Sequence, residues 1–322
     1  SPAGSDAVDD CVCRENSVFQ PVTTFEHSVD LLQGERFSAS NSVNFPGSDN
    51  WVDTEAFALT LLDSDGTRLL ACERNYCYEV DLTGATPLIT LRFTTTESSQ
   101  SEVAVVTSDY SRIFLFENGP TSIYSIDTTT WTWTRWGISS TNVERGWNDA
   151  VITSDDQYIY ASDWDKVILK IQLSSSCLNN FDESTCVEKW TQVPAEVTGV
   201  ALSGDGMTLF AQGHSSTFYK IDVDTKSIVT VNNGCNDISQ GRIRMLSDGT
   251  TLFAMGRAQS WGKGLFDTIT NSWIDSPCYT SVSPTPYDNN HMHGMAVNQW
   301  DVVFILTNDR YLFSIDLVTR QA

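Results

Sequence analysis

The stretch Glu196–Val231, EVTGVALSGDGMTLFAQGHSSTFYKIDVDTKSIVTV, decides the fold that we predict for this chain. It predicts a succession of three or four short strands separated by polar turns, and these strands are Val197–Leu202, Thr208–Gln212, Phe218–Val223 and Ser227–Val231. Asp, Ser and Gly occupy the turns, where their side chains bond nearby backbone amides and Gly tolerates positive φ. The stretch therefore predicts an antiparallel meander.

Other segments repeat two marks of this meander. The first is a turn rich in Ser, Asp and Gly between the first two strands, with its aspartate at Asp65, Asp109, Asp155, Asp205 and Asp248. These aspartates are 44, 46, 50 and 43 residues apart. The second mark is an apolar residue followed by aspartate at the end of the third strand, as in Val80-Asp81, Ile126-Asp127, Ile221-Asp222, Phe266-Asp267 and Ile315-Asp316. The third repeat has Ile171-Gln172 there, and the last repeat lacks the first mark.

A four-stranded meander that recurs about every 40–45 residues is typical of a β-propeller blade. The units begin near Glu55, Glu102, Asn148, Glu196, Gly241 and His293. We therefore expect an all-β chain with a single propeller of six blades, each of four antiparallel strands. From Glu55 to Ala322 the chain resembles propellers with S-x-D-G turns, the YVTN, NHL and WD40-like group. That resemblance implies the fold and leaves the activity open, since such blades serve many functions.

The last unit ends after three strands, so we expect a strand within residues 17–27 to complete the last blade. Residues 1–16 are then a polar N-terminal arm, and residues 17–322 are the propeller. Seven blades are the alternative, because Phe37–Phe45 also has strand character.

Composition limits the function classes. The chain has 322 residues, 40% of them hydrophobic, and a formal net charge of −22. Such an acidic chain repels the phosphates of nucleic acids and anionic membrane surfaces. No apolar run reaches the length of a membrane-spanning helix, so we expect no membrane span. The start SPAGSDAVDD is interpreted as a mature end after cleavage of a leader.

Eight cysteines are an even number, and we interpret them as disulfides in preference to free thiols. Zinc binding is disfavoured because the chain has no C-x-x-C pair. Cys72 with Cys77 and Cys177 with Cys186 are predicted as local bridges, and Cys235 with Cys278 as a bridge between neighbouring repeats. Cys11 and Cys13 bond each other only with strain, or pair elsewhere. Disulfides predict an oxidising, extracellular or cell-surface location.

Polar residues at the starts of the innermost strands are candidates for a ligand site at the propeller axis. They are Glu55, Glu102, Asn148, Asp149, Arg242, His291 and His293. Glu102, Asp149 and His293 are the metal ligands or base of this hypothesis, because carboxylates and imidazoles bind divalent cations. The set resembles that of six-bladed lactonases, which have Glu, Asn and Asp at comparable places. Arg242 and Arg244 depart from that pattern, and a polar lining of a water-filled channel is the other interpretation.

Alternation along an outer strand places Trp131, Trp133 and Arg135 on one face. A row of exposed tryptophans can stack on sugars. Recurrence of tryptophan seven residues after the end of the third strand favours packing between blades instead.

These observations predict a secreted or cell-surface β-propeller that is not an enzyme and has no required cofactor. It would act as a structural or binding module, as in a repeating subunit of an extracellular filament or matrix, and associate with itself through the N-terminal arm or with other extracellular proteins and glycans. A metal-dependent hydrolase or lyase at the axis, with a divalent cation as its cofactor, is one alternative. A carbohydrate-binding propeller is the other.

Overall fold

The protein is described by a computed structural model, which covers residues 57–73, 76–84, 87–95, 100–118, 121–139, 143, 146–164, 166–214, 217–232, 241–256, 263–274, 292–307 and 312–317. Within these ranges the chain forms antiparallel strands and two short helices. The predicted arm at 1–16, the strand within 17–27 and Phe37–Phe45 lie outside the described residues.

Five sheets contain four strands each, and each sheet is formed from consecutive strands. We call them the first to the fifth blade. The first blade consists of β1 (Phe57–Leu61), β2 (Arg68–Glu73), β3 (Tyr76–Asp81) and β4 (Leu88–Thr94). The second consists of β5 (Gln100–Val106), β6 (Arg112–Asn118), β7 (Ser122–Asp127) and β8 (Trp133–Gly137). The third consists of β9 (Trp147–Ile152), β10 (Tyr158–Asp163), β11 (Val167–Gln172) and β12 (Val187–Gln192).

The fourth blade consists of β13 (Val197–Leu202), β14 (Thr208–Gly213), β15 (Thr217–Asp222) and β16 (Ile228–Asn232). The fifth consists of β17 (Arg242–Met245), β18 (Thr251–Met255), β19 (Lys263–Asp267) and β20 (Ser272–Trp273). A further sheet has three strands, β21 (Met292–Val297), β22 (Val302–Thr307) and β23 (Leu312–Asp316).

The architecture is a single all-β propeller with five blades of four antiparallel strands. The prediction of six four-stranded blades is wrong, and so is the alternative of seven. The error has a simple origin, because the repeated turns mark the start of the second strand and the end of the third. They detect a repeat without testing whether a fourth strand follows, and the last sheet has three strands within the described residues.

The first strands of successive sheets contact one another, and β21 contacts both β17 and β1. Apolar side chains from facing sheets fill the space between them. Phe218 of the fourth blade and Phe266 of the fifth stack with ring centroids 5.3 Å apart. On the three-stranded sheet, Phe304 packs with the first blade and Met295 with the fifth. Burial of these side chains between neighbouring sheets stabilises the ring.

The turns between the first and second strands interlock around the ring. In each turn one residue has positive φ, and these residues are Gly66, Tyr110, Asp156, Gly206, Gly249 and Asp301. Where the residue is aspartate, its carboxylate reaches the preceding blade: Ser108 donates to Asp156 from its amide (2.9 Å) and its hydroxyl (2.7 Å). Ser247 donates to Asp301 in the same way, at 2.7 and 2.8 Å. We call these two pairs the turn clasps.

At Gly249, one of the positions with glycine in place of that aspartate, the backbones of two turns approach directly. The amide of Gly204 in the fourth blade donates to the carbonyl of Gly249 in the fifth at 2.9 Å. A Cβ atom on Gly204 would lie 2.6 Å from the Cα atom of Gly249. No side chain larger than hydrogen fits there without movement of the backbone.

Both of the predicted local disulfides are present. Cys72 and Cys77 face each other across β2 and β3. Cys177 and Cys186 join α1 (Ser175–Asn179) to α2 (Glu183–Cys186) within an insertion of the third blade. Cys11, Cys13, Cys235 and Cys278 lie outside the described residues.

The insertion covers the outer strand of the second blade. Phe181 stacks on Trp136 with centroids 4.7 Å apart and an interplanar angle of 2°. The amide and hydroxyl of Ser139 each donate to Glu183 at 2.9 Å. The disulfide thus holds together a short helical cap that is anchored to the neighbouring blade.

Candidate functional site

The axial site is built from two inner strands on different blades. Asp149 lies on β9, and Arg242 and Arg244 lie on β17. Because side chains alternate along a strand, two arginines separated by one residue point to the same side. Ile243, between them, belongs to the apolar cluster between the fourth and fifth blades. Both guanidinium groups reach Asp149, and we call these three residues the central ion network.

Asp149 is fully buried, and both of its carboxylate oxygens accept hydrogen bonds. Its Oδ1 accepts from Nη1 of Arg242 at 2.9 Å and from Nη2 of Arg244 at 3.0 Å. Its Oδ2 accepts from Nη1 of Arg244 at 2.7 Å and from the amide of Val200 at 3.0 Å. Arg244 therefore binds the carboxylate in a bidentate manner, the arrangement that best fixes a guanidinium.

The charge state of Asp149 follows from this surrounding. Burial by itself would raise the pKa of the carboxyl, because a low dielectric disfavours the charged form. The charges of Arg244 and Arg242, with their hydrogen bonds, outweigh burial, so the pKa is lowered below its usual 3.8. Asp149 is thus an ionised carboxylate held between two cations.

Both arginines also donate to main-chain carbonyls. Arg242 donates to the carbonyl of Asn148 and, through Nη2, to that of Glu102 at 3.1 Å. Arg244 donates through Nε to the carbonyl of Met295 at 3.0 Å. These contacts extend from the fifth blade to the second and third blades and to the three-stranded sheet.

The fourth blade joins the same centre. The side-chain amide of Asn148 donates to the carbonyl of Val197 at 2.6 Å. A Cβ atom on Gly199 would lie 3.0 Å from both the carbonyl oxygen of Gly241 and the amide nitrogen of Ile243. The inner strands of the fourth and fifth blades therefore approach closely where the central ion network is formed.

The structure brings together Asn148, Asp149 and Arg242 of the predicted axial set, with Glu102 in contact through its carbonyl. Glu55 and His291 lie outside the described residues. His293 belongs to β21, but the position of its side chain is not described.

The sequence hypothesis placed Arg244 at the axis without assigning it a partner. Arg242 and Arg244 are two residues apart, so they lie on the same side of one strand. This spacing could have predicted that both arginines bind one carboxylate on another inner strand. Within the described ranges, no three His, Cys, Asp or Glu side chains are grouped as metal ligands. The chemistry that the geometry supports is charge neutralisation within the ring, because any cation near Asp149 would face two guanidinium groups.

The two predicted surface tryptophans do not form a row on one strand. Trp131 lies in the turn before β8 with φ of 58°. Its ring lies 6.2 Å from that of Phe93 in the first blade, and the guanidinium carbon of Arg92 lies 5.3 Å from its centroid. Trp133 begins β8 and packs edge-on against Tyr124 at 5.1 Å. Both tryptophans pack against the apolar cluster between the first and second blades.

The fold and its axis define the class of protein, a β-propeller. No protein-family model matches the chain, and no curated protein matches it. Among solved structures, the chain is similar to a protein of unknown function from Bacteroides thetaiotaomicron, with a TM-score of 0.62 and 13% sequence identity. The match covers 86% of this chain and 73% of the other. At this identity the likeness shows the fold alone. No helix in the described ranges is long and apolar enough to cross a membrane.

Proposed function

We propose that this chain is a non-enzymatic β-propeller of the extracellular space or cell surface, which serves as a structural or binding module. The observation that carries the proposal is the central ion network. Asp149 accepts hydrogen bonds from two arginines and one backbone amide, so the axial carboxylate already has its counter-charges. The site in which a metal-dependent propeller would hold its cation is used here to join blades.

The extracellular part of the proposal is supported by the two disulfides. One links β2 to β3, and the other links α1 to α2 within the helical cap. Such bonds persist in oxidising compartments and are rare in reducing ones. The same proposal includes a more specific role, in which copies of the chain assemble into a repeating filament or matrix.

Two assays test the proposal, one for catalytic activity and one for secretion with intact disulfides. The purified chain is assayed against a panel of lactones with Ca²⁺, Mn²⁺ or Zn²⁺ added, and we expect no turnover above buffer with the same metal. Expressed in eukaryotic cells behind a secretion signal, it should be recovered from the medium with Cys72–Cys77 and Cys177–Cys186 linked in peptide maps. Metal-dependent turnover, or retention of reduced chain inside the cell, would overturn the proposal.

A further inference from the structure

The helical cap of the third blade covers a large apolar side chain of the second blade. Trp136 of β8 is 1% exposed, and the ring of Phe181 in the cap stacks on it with an interplanar angle of 2°. Leu178 of the cap packs on the same apolar cluster between the second and third blades. The cap therefore shields Trp136 from solvent.

The cap has little regular structure of its own to hold it in place. α1 has five residues and α2 has four, whereas isolated helices shorter than about 12–15 residues are marginal in water. Asn179 and Asn180, between the helices, are exposed. The position of the cap therefore depends on the Cys177–Cys186 bond and on the contacts with the second blade.

Those contacts offer limited resistance to opening. Nε1 of Trp136 is buried and has no hydrogen-bond partner within the described part of the chain. Burial of an N–H group without a partner is unfavourable, so its hydration on opening offsets part of the lost apolar contact. The two hydrogen bonds from Ser139 to Glu183 lie at the exposed surface, where water replaces them readily.

The disulfide closes the cap covalently. Cys177 and Cys186 are nine residues apart, so their bond restricts a short loop that contains Phe181. Such a cross-link reduces the number of open conformations that the loop can adopt. By contrast, Cys72 and Cys77 are directly opposed on β2 and β3, and neither is exposed. Their bond is reached only when paired strands of a blade separate, whereas the cap bond is reached by a local opening.

We propose that the Cys177–Cys186 disulfide is a redox switch, which keeps the cap closed over Trp136 when oxidised and releases the cap when reduced. The reductant is a dithiol. One of its thiolates attacks a sulfur of the bond and forms a mixed disulfide, and its second thiol then displaces that cysteine. The cap disulfide gains two electrons and two protons and becomes two thiols, while the dithiol becomes a disulfide.

The test is hydrogen exchange with mass spectrometry on the full chain, with and without dithiothreitol as the dithiol. Alkylation of free thiols and peptide mapping identify the bond that is reduced. We expect reduction of Cys177–Cys186 while Cys72–Cys77 stays linked. Exchange in peptides that cover residues 174–186 should then become at least about tenfold faster, because these amides open locally. Peptides from β13 are the internal control and should exchange at the same rate in both states.

Reversal and substitution provide two further measurements. Removal of the dithiol and addition of oxidised glutathione should restore the bond and the slow exchange. Cys177→Ser/Cys186→Ser should exchange like the reduced wild type without any dithiol. Ser175→Ala, at an exposed residue of α1, is the matched control and should exchange like the oxidised wild type. Because the wild type is tested in both states, the result does not depend on the folding of the double variant.

Several outcomes would overturn the inference. They are a cap disulfide that resists dithiothreitol, reduction of both bonds at the same rate, unchanged exchange after the cap bond is reduced, and exchange that stays fast after reoxidation. The redox switch goes beyond the proposed function and does not depend on it. Metal-dependent turnover would overturn the proposed module and leave the exchange results unaffected.

Discussion

Arg244 binds Asp149 through two parallel hydrogen bonds of 2.7 and 3.0 Å, although 95 residues separate them along the chain. Arg242 binds the same carboxylate, so two guanidinium groups share one buried aspartate. Loss of one member of such a network leaves uncompensated charge in a low dielectric, which is more costly than the network's own net contribution.

Replacement of Asp149 by asparagine should therefore destabilise the fold strongly. We expect a loss of about 3–5 kcal/mol in the free energy of unfolding, because Arg242 and Arg244 lose the charged carboxylate that they share. Urea unfolding followed by tryptophan fluorescence measures the change. Asp224→Asn, at an exposed aspartate, is the control and should change stability by less than about 0.5 kcal/mol. Equal stabilities of the two variants would show that the central ion network does not hold the ring.

The turn clasps predict a difference among three serines that occupy the same place in their turns. Ser108 and Ser247 each donate two ways to an aspartate of the next sheet. Ser154 faces a blade whose turn has Gly206 at the corresponding position. Ser108→Ala and Ser247→Ala should each cost about 1 kcal/mol, the usual net value of one hydrogen bond. Ser154→Ala should cost clearly less in the same urea titration, and three equal losses would contradict the clasp.

Gly206 and Gly249 have nearly the same backbone conformation but different surroundings. Substitution of each by alanine therefore distinguishes the cost of positive φ from the cost of steric crowding. Gly206 and Gly249 have φ of 71° and 68°. A Cβ atom on Gly206 would meet nothing within 4 Å, whereas one on Gly249 would lie 2.9 Å from the Cα atom of Gly204. Gly206→Ala should cost about 1–2 kcal/mol from positive φ alone.

Gly249→Ala should cost at least about 1 kcal/mol more than Gly206→Ala, because crowding adds to the same strain. Thermal unfolding of both variants at one scan rate measures the difference. A smaller loss in Gly249→Ala than in Gly206→Ala would show that the two turns do not approach as described.

Acid should remove a specific part of the stability. Hydrogen bonds from Thr83 lower the pKa of Asp81 below its usual 3.8, and the amide of Ser111 similarly lowers the pKa of Asp109. A carboxyl whose pKa is lower in the folded state stabilises that state above its unfolded pKa. This contribution is lost as the pH falls through the lowered folded value.

Asp81→Ala should thus be less stable than the wild type at pH 6, and the difference should shrink below pH 3.8. Comparing the two proteins at each pH cancels the effect of overall net charge. Urea midpoints measured between pH 6 and pH 2 provide the check. A difference that stays constant to pH 2 would show that the aspartate stabilises the turn without its charge.

The sequence predicts the strands and turns well because their causes are local. Short runs of strand-forming residues and Asp-rich turns are read within a few positions, as in Val197–Leu202 followed by Ser203. The number of four-stranded blades could not be read, because neither of the two recurring turn marks tests for a fourth strand. β20, for example, has only two residues.

The axial site was only partly predictable, because its contacts join residues that are distant along the chain. Asn148, Asp149 and Arg242 were identified as axial from their positions in the repeat, but the repeat does not say which of them touch. The approach of β17 to β9 depends on closure of the ring and on Gly199, where the inner strands come close. The aspartates of the turn clasps were missed because Asp156 and Asp301 act on the preceding sheet, not on their own turn.

The central ion network has a consequence for how such a chain can change through evolution. Repeats arise and disappear readily by duplication and deletion, and most blades are interchangeable in shape. Here, deletion of the third repeat would remove the acid that Arg242 and Arg244 share, and deletion of the fifth would remove both of these arginines from Asp149. Loss of either of these two units therefore calls for compensating changes at Asp149, Arg242 or Arg244.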